Sequence, residues 1–136
     1  MTPKLTGIDH VHVFVSDRLA AEDWYRRVLG LVRAPALESW ATAGGPLTIS
    51  DESGRVHLAL FERPRQSCRS VVALGVSGPE FLVWLRHLES SLGRKLEPVD
   101  HELSWSLYFE DPDGNPFELT SYEHSAIGAS LHGSGA

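Results

Sequence analysis

The chain has 136 residues, 42% of them hydrophobic, enough for one compact domain with a core of its own. Twelve Lys and Arg against eighteen Asp and Glu leave a net charge of −6 with no basic stripe, which argues against nucleic acid as a partner. No apolar run reaches the roughly 20 residues that span a bilayer, Met1-Thr2-Pro3-Lys4 lacks the apolar core of a signal peptide, and the single cysteine, Cys68, fits a reducing compartment. A cytoplasmic protein with no nucleic-acid or membrane partner is the expectation.

Residues 8–15 read as a strand, with Val11, Val13 and Val15 on one face and His10, His12 and Phe14 on the other. Ser16 or Asp17 can cap the next helix. Glu22 and Asp23 fall early in it, Leu19, Trp24, Val28 and Leu29 recur at helical spacing, and Gly30 ends it. Strand-like pieces follow over 31–38 and 46–50, and the Asp51-Glu52-Ser53-Gly54 turn opens into a strand over 56–61. The same order then repeats. A strand covers 71–76, and Ser77 caps a helix that has Pro79 in its first turn and Gly93 at its end. Strands are expected over 95–99, 104–110 and 117–122, the last two joined by the turn Asp111-Pro112-Asp113-Gly114. Beyond Glu123 the residues become small and polar, which predicts a flexible tail over 125–136.

An offset of 61 lays Val13 on Leu74, Ser16 on Ser77 and His57 on Glu118, the signature of a duplicated unit. The reading is α+β: a single domain over 1–124 made of two tandem βαβββ modules, about 7–62 and 69–122, whose sheets form a half-open cup. Strand alternation puts His57, Ala59 and Phe61, then Glu118, Thr120 and Tyr122, on the cup face, with Ser104, Ser106 and Tyr108 beside them. Matching the two Asp-x-x-Gly turns gives an offset of 60 and pairs Glu118 with Leu58 instead. A turn one residue shorter in the first module reconciles the two and keeps the polar His57 ring out of the core.

Ile8-Asp9-His10-Val11-His12-Val13-Phe14-Val15-Ser16-Asp17, Trp24-Tyr25-Arg26-Arg27-Val28-Leu29-Gly30-Leu31 and the run from Leu107 to Leu119 resemble the vicinal oxygen chelate superfamily. That group includes glyoxalase I, extradiol dioxygenases, fosfomycin-modifying enzymes and bleomycin-resistance proteins. The resemblance covers about residues 7 to 122. It implies four metal positions on the first and last strands of the modules, which are His10, His57, Val71 and Glu118 here. Val71 cannot ligate, so His10, His57 and Glu118 form the implied metal set. Two histidines and a carboxylate favour a divalent transition metal such as Fe, Mn, Zn or Ni. The resemblance also implies a substrate-contacting role for Tyr108 and an acid–base role for His101.

The favoured reading is therefore a metal-dependent enzyme of dioxygenase-like or glyoxalase-like chemistry, acting on a small substrate with vicinal oxygens. His10, His57 and Glu118 hold the metal. His101 and Tyr108 are catalytic, while His12, Phe14, Phe61, Ser106 and Tyr122 line the substrate site. Homodimers are expected, since cups in this superfamily are often completed across a two-fold axis. The competing reading is a metal-free, drug-sequestering protein of the bleomycin-resistance type. His57 discriminates the two, because a sequestering cup has no need of a histidine at a ligand position. Trp40 and Trp105 can line the cup or seal its rim.

Overall fold

A computed structural model describes residues 1–133. It divides into two compact units, Met1–Gln66 and a second that begins at Ser67, and the division falls within the connector from Arg63 to Arg69. Each unit is one βαβββ module, as expected for an α+β chain built from a repeated unit.

In the first unit the order is β1 (Val11–Val15), α1 (Arg18–Leu29), β2 (Val32–Arg33), a 3-10 segment (Pro35–Trp40), β3 (Leu47–Ser50) and β4 (His57–Glu62). The sheet runs β1-β4-β3-β2, with β1 and β4 parallel and the other pairs antiparallel. Asp17 starts α1 by accepting the amide of Ala20, and Gly30 ends it in the left-handed conformation at φ 70°. Glu22 and Asp23 lie past the first turn and form ion pairs, Glu22 with Arg33 and Asp23 with Arg26 and Arg27. The strand expected over 31–38 stops at Arg33. Pro35 has no N–H to give a ladder and instead opens the 3-10 segment.

Alternation in β1 and β4 holds. Val13 and Val15, with Leu58 and Leu60, are buried on the side of α1, where Tyr25 and Val28 are fully enclosed. Each such aliphatic side chain contributes about 1.5–3 kcal/mol by leaving water. His12 and Phe14, with His57 and Phe61, take the opposite face.

The second unit comprises β5 (Val72–Gly75), α2 (Gly78–Leu92), β6 (Val99–Asp100), β7 (Trp105–Glu110), β8 (Pro116–Ser121) and α3 (His124–Gly133). Its sheet runs β5-β8-β7-β6 with the same pattern of one parallel and two antiparallel pairs. Ser77 caps α2 through the amide of Glu80, and Gly93 closes it. Leu107, Phe109, Phe117 and Leu119 pack with Phe81 and Leu88 as the core. The strand expected over 95–99 is only Val99–Asp100.

The expected tail is corrected in part: 124–133 are helical, and 134–136 lie outside the described residues. Ile127 is buried, the Trp105 indole donates from Nε1 to the His124 carbonyl at 3.1 Å, and its ring stacks on the His124 imidazole. Trp105 is thus a core residue held under α3. Its small and polar residues hid this helix, since one isoleucine carries most of its buried contact.

Candidate functional site

The hairpins fix which residues of the two modules correspond. Asp51 accepts the amide of Val56 five residues on, whereas Asp111 accepts that of Asn115 four residues on. The first turn is therefore one residue longer, not shorter, and the expected correspondence of His57 with Glu118 is corrected. In β3–β4 Thr48 faces Ala59, and in β7–β8 Tyr108 faces Glu118. The parallel pairs agree, since His12 lies beside Ala59 and Ala73 beside Glu118. Ala59 is the first-module counterpart of Glu118. His57 lies two residues earlier on the same face, so the alternation argument survives while the positional one does not.

His10 sits one residue ahead of β1, and its neighbour Val11 pairs with Leu58, the residue after His57. Both histidines open onto one pocket of about 250 Å³. Leu37 and Trp40 of the 3-10 segment and Pro46 give it apolar walls, Asp9 lies at its rim, and Thr48 and Ala59 form the sheet floor. Trp40 remains 55% exposed, so its indole offers a free flank. Leu37, Pro46 and Thr48 were not singled out from sequence. Alternation along 46–50 could have found Thr48, whereas Leu37 and Trp40 depend on the 3-10 segment.

The histidine chemistry is defined by neighbours. Asp9 Oδ2 accepts from His10 Nδ1 at 2.8 Å, and His10 Nε2 lies 3.1 Å from His12 Nε2. The His12 ring rests on Phe61, with centroids 4.7 Å apart, and Phe14 stands 6.0 Å from Phe61.

The second module carries its own polar cluster on the face of Tyr108 and Glu118. Ser106 is fully buried and donates to Glu118 Oε2 at 2.7 Å, with Thr120 Oγ1 3.1 Å away. Ser106 therefore holds Glu118 rather than lining an open surface. His101 Nε2 is 2.9 Å from the Tyr108 hydroxyl, so the structure brings these two side chains together. Next to it, Asp100 accepts from His124 Nε2 at 2.6 Å and from the Glu102 amide, and those bonds hold its carboxyl below the usual range. Tyr122 lies beyond β8 and is 80% exposed.

Among the described residues, no three His, Cys, Asp or Glu side chains are gathered closely enough to hold a metal ion. His10 and His57 of the implied set lie in the first unit and Glu118 in the second.

The family model for the Glyoxalase/Bleomycin resistance protein/Dioxygenase superfamily matches residues 7–119, and the chain belongs to that superfamily. Its fold is shared by an integron cassette protein from the mobile metagenome of the Halifax Harbour sewage outfall, with a TM-score of 0.73, 23% identity, and 86% and 99% of the two chains covered. A glyoxalase/dioxygenase from Nostoc punctiforme aligns at a TM-score of 0.69 and 20% identity over 90% and 95%. The fosfomycin resistance protein FosX from Listeria monocytogenes, complexed with Mn(II) and sulfate, aligns at 0.66 and 13% over 95% and 99%. No curated protein matches the sequence significantly. No helix among the described residues is long and apolar enough to cross a membrane.

Proposed function

We propose that the chain binds a small planar organic molecule in the pocket of its first module, without needing a metal. The observation that carries this reading is the composition of that pocket: Leu37, Trp40 and Pro46 as apolar walls, with His10 and His57 as its convergent polar groups. Its volume of about 250 Å³ suits a molecule of one or two rings. The Trp40 indole stacks on the ring, and the imidazoles exchange hydrogen bonds with its oxygen or nitrogen substituents. The register supports the same choice. With Ala59 where Glu118 has its counterpart, His57 is freed from the ligand role and becomes a recognition residue.

The test is quenching of tryptophan fluorescence by a panel of phenols and heteroaromatics, with EDTA present throughout. A saturable signal that vanishes in Trp40→Ala supports the reading. Saturation unchanged in that variant contradicts it.

A second reading, the metal-dependent enzyme, is favoured by one feature. The Asp9 carboxylate holds Nδ1 of His10 and leaves Nε2 outward, as carboxylates do behind metal-bound histidines. FosX, of the same fold, is complexed with Mn(II). In that reading His101 exchanges a proton with a substrate through the Tyr108 hydroxyl. Metal analysis of the protein reconstituted with Mn(II), Fe(II), Zn(II) or Ni(II) tests it. About one ion per chain, lost in Glu118→Gln, supports the enzyme reading, and an empty protein sinks it.

A further inference from the structure

Two imidazoles of the first module, His10 and His12, meet. His10 and His12 stand two residues apart on one face of the strand end, as strand periodicity requires. Their rings lie side by side, with centroids 5.0 Å apart and planes inclined by 25°. The Nε2 atoms are 3.1 Å apart. Two bonds of about 2.0–2.1 Å from one metal, at an angle of roughly 90–109°, put their nitrogens about 2.8–3.4 Å apart. The observed spacing falls inside that interval.

Each ring is held by a different partner. Asp9 takes the Nδ1 proton of His10, which leaves the lone pair on Nε2. Phe61 backs the His12 ring. Both histidines are exposed, so an incoming ion displaces water rather than packed side chains.

We propose that His10 and His12 form a two-imidazole chelate for a borderline divalent ion, Cu(II), Ni(II) or Zn(II). Asp9 orients His10, and the remaining coordination positions are open to water or to a ligand oxygen. The site takes His12 in place of His57 and Glu118, so it differs from the set the superfamily implies. Binding needs the lone pairs of both Nε2 atoms, so a proton held between them moves to a far ring nitrogen or to water. The inference is independent of the small-molecule reading, whose test runs in chelator.

The experiment is titration of the whole chain with Cu(II), followed by electron paramagnetic resonance. Wild type is expected to bind one equivalent with hyperfine structure from two imidazole nitrogens. His10→Ala, His12→Ala and the bulkier His12→Gln should each weaken binding at least tenfold and lose the two-nitrogen pattern. His57→Ala should leave both readouts unchanged. Binding by the His12 variants equal to that of wild type overturns the proposal, as does a wild type without stoichiometric Cu(II), or a loss confined to His57→Ala.

Discussion

Ala59 lies across from Thr48 in the hairpin of the first module, at the place Glu118 holds opposite Tyr108 in the second. The repeat therefore supplies a carboxylate in one module and a methyl group in the other. His12 is the lateral neighbour of Ala59. Ala59→Glu should restore a carboxylate beside the His10–His12 pair and tighten Zn(II) binding at least tenfold. Zinc titration, with circular dichroism to confirm the fold, checks this. A folded variant with unchanged affinity would contradict the assigned correspondence.

Buried Ser106 donates to the half-buried Glu118 in the second sheet. Ser106→Ala removes the donor and leaves one oxygen of Glu118 short of a partner, a loss of about 1–2 kcal/mol. For a chain of this length that corresponds to roughly 3–6 °C in Tm. Thermal unfolding measures it, and Ser106→Thr, which keeps the hydroxyl, should lose less.

Acid stability should depend on Asp100. The hydrogen bond from His124, then that from the Glu102 amide, hold its carboxyl below the usual range. A lowered folded-state pKa contributes stability above the unfolded value of about 3.9, and that stability is lost as pH falls through the lowered folded value. Asp100→Asn should therefore destabilise the chain at pH 7 and flatten its loss of stability between about pH 5 and 2. Tm measured across that range for both proteins gives the answer, and parallel curves would contradict it.

Ile127 carries the docking of α3, being 1% exposed. Ile127→Ala should reduce stability by about 2–4 kcal/mol, through lost burial and the cavity left behind. Ser130→Ala on the same helix, at an exposed position, should change it by less than about 0.5 kcal/mol. Urea unfolding of the pair tests the helix directly.

Much of this was legible in the sequence. Period-two alternation placed His57 and Glu118 on the polar faces of β4 and β8, and the Asp17, Gly30, Ser77 and Gly93 signals bounded the two long helices. Such features depend on neighbours a few residues apart. Register does not: the five-residue span from Asp51 to Val56 is set by side-chain bonds to Asp51, which spacing alone does not reveal. Pro35 replaced a strand with 3-10 geometry and so brought Trp40 to the pocket. α3 has too few apolar residues to announce itself, and the buried Ile127 and the bond from Trp105 show where it belongs. The His101–Tyr108 pairing was half legible, since both residues were singled out while their 2.9 Å contact depends on the loop after β6.

The central claim is that the first-module pocket binds a planar molecule through Trp40 and His57 without a metal. The most direct measurement is calorimetric Kd for the best ligand of the fluorescence panel, in EDTA and then with Mn(II) added, for wild type, Trp40→Ala and His57→Ala. The account predicts the same wild-type Kd under both conditions and at least a tenfold weakening in each variant. Binding that appears only with Mn(II), or that persists unchanged in both variants, would contradict it.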